Sequence, residues 1–222
     1  AERALAAGHG DAHDCMVAAL GRSARDDLAG AESLLHRAIT LEPGNPAVLT
    51  GLAMLRRKQG RMRDAVLACD AAIRAMPTYA DAWLERGAIL AAGGSSRAAR
   101  ESFARAAQLA PHLAQAHAGL AALAARDGDF VAARNHADEA LNLDPLNAVA
   151  ICARANADIA EKNPERARAA LVELLDTLDR PSPDRSFAST VLGDACDKLG
   201  MHEAAFDAYA AANSDFAAVN AA

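Results

Sequence analysis

The sequence predicts an all-α chain built as a tandem array of about six helical hairpins, and three observations carry that prediction. The first is a fixed step: Pro43, Pro77, Pro111 and Pro145 lie 34 residues apart, and Gly60, Gly94 and Gly128 repeat the same step. The second is a set of alanines in the same register, Ala31, Ala65, Ala99, Ala133 and Ala167, with Ala38, Ala72, Ala106 and Ala140 as a parallel series. A fixed period of this length marks stacked supersecondary units. The third is composition: 52% of the 222 residues are hydrophobic but only 4% are aromatic. Much of the apolar content is alanine, a strong helix former and a poor core filler, so helices in close approach suit this chain better than one bulky core.

Each element follows from local chemistry. Residues 1–11 read as the end of a second helix from a preceding unit, with Ala4 in phase with the small packing position and His9 where proline stands elsewhere. In the clearest early unit, Leu49, Leu52, Ala53 and Leu55 fall at helical spacing after Pro46. Gly60 then stops that helix, because glycine accepts the left-handed cap conformation. Ala65, Val66, Cys69, Ala72 and Ile73 mark a second helix with an apolar face, and Pro77 blocks its continuation. On this pattern five hairpins are expected over residues 12–185, at roughly 12–45, 46–79, 80–113, 114–147 and 148–185, with a sixth and a C-terminal tail over 186–222. The fifth is irregular, since Asp179 to Asp184 inserts about four extra residues.

Small residues explain how the hairpins close. One sits midway along each first helix (Ala19, Ala53, Gly87, Ala121, Ala155), and another starts each second helix (Ala31 to Ala167). The Ala38 to Ala140 series lets the next unit pack, and Leu35, Phe103 and Leu171 fill the gaps left by this lattice.

These residues resemble the tetratricopeptide repeat (TPR) family. The resemblance is clearest from Ala80 to Pro111, where Trp83, Gly87, Leu90, Ala99, Phe103, Ala106 and Pro111 occupy signature positions. Arg86 replaces the usual leucine, as does Arg154 one repeat pair later, so each places a charge that must be exposed or paired. The resemblance implies a right-handed superhelical α-α solenoid, a non-catalytic binding module whose first helices line a concave groove for a protein or peptide partner. The family's groove positions (second, fifth, ninth and twelfth of each first helix) carry over to Met16, Thr50, Met54, Arg57, Asp81, Leu84, Ala88, Gln115, Ala118, Ala122, Cys152 and Asn156. Some family members clamp a C-terminal carboxylate with lysine and asparagine; the matching places here, Met16, Leu20, Glu85, Gln115 and Gly119, supply no positive charge.

A second resemblance covers Phe187 to Asn213. Leu192-Gly193, Leu199-Gly200, Glu203-Ala204-Ala205-Phe206 and Ala212-Asn213 resemble the last repeat before the catalytic domain of bacterial TPR/sulfotransferase proteins. That implies an accessory domain whose catalytic part lies beyond residue 222. The nearest run to a phosphate loop, Gly93-Gly94-Ser95-Ser96, falls in phase with a hairpin turn.

Charge and residue usage exclude other classes. A net charge of −6 argues against nucleic acid, whose phosphates demand a basic face, and no apolar run is long enough to span a bilayer. Cys15, Cys69, Cys152 and Cys196 are scattered and read as buried thiols of a reducing compartment, the cytoplasm. His9 with His13, and His112 with His117, read as solvated surface histidines rather than metal ligands. Carboxylate pairs such as Asp26-Asp27 are adjacent and diverge on a helix. No catalytic residue, metal site or cofactor is expected. Phe206, Tyr209 and Phe216 are candidates to seed self-association through the terminal repeats.

Overall fold

A computed structural model describes residues 10–221. Every regular element among them is an α-helix: α1 (Ala12–Ala24), α2 (Leu28–Leu41), α3 (Pro46–Lys58), α4 (Met62–Ala75), α5 (Ala80–Ala92), α6 (Ser96–Leu109), α7 (Ala114–Arg126), α8 (Phe130–Leu143), α9 (Ala148–Ala160), α10 (Pro164–Thr177), α11 (Pro183–Lys198) and α12 (His202–Asn220). They pair as six hairpins in two compact units divided after Pro111. The preceding helix expected over residues 1–11 falls, apart from Gly10 and Asp11, outside the described residues.

One turn closes every hairpin. Gly60, Gly94, Gly128 and Gly200 take φ values of 74°, 76°, 80° and 71°, the left-handed conformation that reverses the chain. Hairpins one and five reach the same geometry without glycine, at Asp26 (φ 65°) and Lys162 (φ 66°). In each case the next N–H donates to the carbonyl five residues back, as from Arg61 to Arg56 and from Asn163 to Asp158, both at 2.8 Å. The second helices α2, α4, α6 and α8 stop two residues short of Pro43, Pro77, Pro111 and Pro145.

The insertion in the fifth hairpin is less of a loop than its composition suggests. Only residues 178–182 separate α10 from α11, and Pro183 opens a helix of 16 residues where the other first helices have 13. Ser182 caps it by accepting from the Arg185 N–H at 3.1 Å. Arg185 donates from Nη1 to the Leu175 carbonyl at 3.2 Å and to the Leu178 carbonyl, and its Nε lies 3.1 Å from the Asp215 carboxylate. The extra turn therefore satisfies the end of α10 and ties it to α12.

Packing follows the small-residue lattice, whose alanines are all buried. The first-helix position is alanine where it faces Leu35 or Leu171 in the partner helix, and glycine where it faces an aromatic ring. A Cβ on Gly87 would lie 2.6 Å from the ring of Phe103, and one on Gly193 would lie 2.4 Å from the ring of Tyr209. Tyr209 is thus a hairpin filler, its hydroxyl donating to Asp194 at 2.7 Å. Of the three aromatic residues considered for self-association, Phe206 and Phe216 are the exposed ones.

Charged ties join neighbouring hairpins within each unit. In the first, Gln59 donates to the Glu32 carboxylate at 2.9 Å and Arg56 meets it at 2.7 Å, and these hydrogen bonds, Gln59's first, hold the Glu32 carboxyl below its ordinary range. In the second, Arg134 meets Asp158 at 2.8 Å and Glu161 at 2.6 Å. These are the same repeat positions with the signs exchanged.

Candidate functional site

The first helices of unit one carry a concave surface. Met16 and Leu20 of α1, Thr50, Gly51 and Met54 of α3, and Leu84 of α5 surround a cleft of about 300 Å³. An adjoining cleft of about 440 Å³ shares Leu20, Gly51 and Met54 and extends to Arg57 and Lys58. The two form one trough. Leu20 and Met54 are 38% and 40% exposed, so the trough presents apolar side chains that nothing in the unit covers.

Charged groups border it. Asp81 and Glu85 line the smaller cleft, and Arg57 and Lys58 the larger. The Arg57 Nε donates to Glu85 at 2.7 Å, so the guanidinium is anchored across α3 and α5 while remaining part-exposed. Lys58 pairs with Asp26 at 3.1 Å. Tyr79 also borders the cleft, its phenol pushed up by burial and then by Asp81.

Five of the twelve expected groove residues, Met16, Thr50, Met54, Asp81 and Leu84, line this one cleft, and Arg57 lines its neighbour. Thr50 is buried, and its hydroxyl donates to the Pro46 carbonyl of its own helix at 2.8 Å. Ala88 is half-buried on α5 and lines neither cleft. In unit two, Gln115 is exposed on α7, while Ala122 and Asn156 are half-buried.

Ala118 and Cys152 correct the sequence expectation. Each is at most 2% exposed and belongs to a hydrophobic cluster, so neither presents a side chain to a ligand. Small side chains at the fifth helix position recede beneath neighbouring helices, whereas Met16 and Leu84 are long enough to emerge. Leu20, the ninth residue of α1 and so one of the family's groove positions, lines both clefts, and Glu85 and Tyr79 join the site. Tyr79 escapes notice in the sequence because it precedes its helix and belongs to no repeated position.

All four cysteines are buried and free, and burial pushes the Cys69 and Cys152 thiols up to about 12. No group of three or more metal-ligating side chains occurs among the described residues. Gly93 to Ser95 forms the turn between α5 and α6, and Ser96 opens α6. His117 is not a solvated histidine: it is half-buried on α7, its ring 6.4 Å from that of His136 on α8. No helix among the described residues is long and apolar enough to cross a membrane.

Turn, packing lattice and period together define an array of TPR-type helical hairpins. Residues 23–86 match the family model of the tetratricopeptide repeat. No curated protein matches the sequence. Among solved structures, the chain is similar to Pseudomonas aeruginosa PilF at 15% identity, over 94% of this chain and 91% of that one, with a TM-score of 0.72. It is similar to PilW, a type IV pilus biogenesis factor, at 15% identity, over 92% and 93% of the two chains, with a TM-score of 0.75. It is also similar to YrrB, a TPR protein with an unusual peptide-binding site, at 19% identity, over 93% and 96%, with a TM-score of 0.56. At these identities the shared property is the fold.

Proposed function

We propose that this chain is a non-catalytic TPR interaction module that holds a peptide or helix of a partner protein along the first helices of unit one. The trough through Leu20 and Met54 carries this reading, because exposed apolar side chains in a concave surface are the usual mark of a binding groove. Methionine adapts to varied apolar partners. The Arg57–Glu85 pair and the carboxylate of Asp81 give the groove a polarity that fixes a ligand's direction. Gln115 and Asn156 are proposed as hydrogen-bonding positions of the corresponding first helices in unit two. The structure of YrrB sets a precedent in this fold for peptide binding.

Peptides selected from a displayed library against the full chain test this. Binding should shift backbone resonances at Leu20, Met54 and Leu84, and Met54→Asp should weaken it by about tenfold, the scale of one lost anchor. Selected peptides whose shifts all fall elsewhere would refute the reading.

The run from Leu192 to Asn213 supports a second reading, in which the module is the accessory part of a bacterial sulfotransferase. The mass of the native gene product tests it: a product near 23.0 kDa would exclude an appended catalytic domain. Four buried free thiols support placement in a reducing compartment such as the cytoplasm. The exposed rings of Phe206 and Phe216 support self-association through the last hairpin, which sedimentation of Phe206→Ser would test.

A further inference from the structure

Two junctions between hairpins use one framework with different fillings. A step of two repeats carries Asp70, Pro77, Trp83, Arg86 and Ser102 onto Asp138, Pro145, Ile151, Arg154 and Ala170. Between hairpins two and three, the framework is filled from within. The Trp83 indole donates from Nε1 to the Pro77 carbonyl at 3.0 Å, and Arg86 bridges Asp70 and the Ser102 hydroxyl, both at 2.8 Å.

Between hairpins four and five, isoleucine replaces the tryptophan and alanine the serine, and a cleft of about 560 Å³ lies on the second-helix side. Leu141, Ile151 and Leu174 line it as an apolar floor, and Leu146, 64% exposed, stands at its edge. Pro145 holds the repeat position of Pro77, but the Ile151 side chain carries no N–H for its carbonyl, and the Ile151 backbone N–H donates to Asn147. Arg154 reaches Asp138 only at 3.6 Å, and that carboxylate is half-exposed. Glu173 occupies the place that Arg105 holds in hairpin three, so the rim turns from basic to acidic.

What the cleft lacks describes its ligand. The missing filler is a flat aromatic group carrying a hydrogen-bond donor. The two carboxylates come from different helices, Asp138 from α8 and Glu173 from α10, so cations on both sides of the ring match them better than one. We propose that this cleft binds a basic peptide segment by inserting an aromatic side chain, an indole above all, over Ile151, with flanking lysine or arginine on Asp138 and Glu173. This site is separate from the first-helix trough and stands independently of the function proposed above.

The test is titration of the full ¹⁵N-labelled chain with N-acetyl-Lys-Trp-Lys-amide. Saturable shifts are expected at Leu146, Ile151 and Arg154, with N-acetyl-Lys-Ala-Lys-amide about tenfold weaker, the scale of one lost anchor. Ile151→Trp combined with Ala170→Ser rebuilds the arrangement of hairpins two and three. That variant should melt at or above the parent's temperature and bind the probe about tenfold more weakly. Glu173→Gln, at the exposed rim, should weaken binding by about threefold and keeps the test open if the double variant fails to fold. Shifts that do not saturate, shifts confined to the first-helix trough, or equal affinity for the alanine peptide would overturn the proposal.

Discussion

Gly87→Ala offers a direct test of how the hairpins close, because two known effects oppose each other there. Alanine in place of a helical glycine is worth up to about 1 kcal/mol of stability. The added Cβ, however, would stand 2.6 Å from Cδ1 and 2.7 Å from Cε1 of Phe103. Carbon atoms prefer about 3.5–4.0 Å, so the ring must retreat by about 1 Å. Phe103 is 5% exposed, which leaves it little room to do so. Overpacking of this kind costs about 1–3 kcal/mol, and the net expectation is a loss of about 1 kcal/mol. Phe103→Leu reverses the sign. It recreates the alanine–leucine pairing that Ala19 makes with Leu35 and Ala155 with Leu171, so in that background Gly87→Ala should stabilise by up to about 1 kcal/mol. Trp83 is the chain's single tryptophan and lies in the same hairpin, so urea melts followed by its fluorescence read the effect locally. A Gly87→Ala variant that is stabilised equally in both backgrounds would refute the reasoning.

Three further outcomes are expected. Lys162→Gly relieves a side chain from a φ of 66°, and thermal melting should show a gain of up to about 1 kcal/mol. Arg134→Met leaves the Asp158 carboxylate, 2% exposed, with only the exposed Arg166 at 3.7 Å, and should cost about 3 kcal/mol in a urea melt, most of it recovered on adding Asp158→Leu. His136 is held below its ordinary 6.5, first by burial and then by His117. The unfolded chain therefore takes up that proton before the folded one does, and stability falls as pH drops through about 6.5. His136→Gln should lose less stability than the parent between about pH 7.5 and 5.5; equal losses in urea melts would count against the assignment.

The hairpins were legible because their causes are local and repeat: a left-handed cap, a blocked continuation and small residues in phase. Asp26 and Lys162 were less so, since a left-handed cap without glycine has no signature of its own. The extra turn of α11 was hidden by Asp179 to Asp184, whose prolines read as a loop, although Pro183 is favourable at the first position of a helix. The groove was legible by position but not by reach. Leu20 and Met54, at the ninth helix position, emerge into the trough. At the fifth position the outcome depends on side-chain length: Met16 and Leu84 reach the cleft, Ala118 and Cys152 do not, and Thr50 turns its hydroxyl back on its helix. The cleft beside Ile151 was invisible because it arises from what two side chains fail to fill.

The exchanged signs at Glu32–Arg56 and Arg134–Asp158 bear on how an array of look-alike parts assembles. Any second helix here carries the alanine lattice and could in principle dock on any first helix, which is the hazard of repeat chains during folding. Docked out of order, hairpin one on hairpin five would bury Glu32 against Asp158, and hairpin four on hairpin two would bury Arg134 against Arg56. Facing like charges out of water is prohibitive, whereas a correct neighbour costs far less. The charges act as an address written over a uniform mortar of alanine, naming which hairpin comes next where shape alone would accept several.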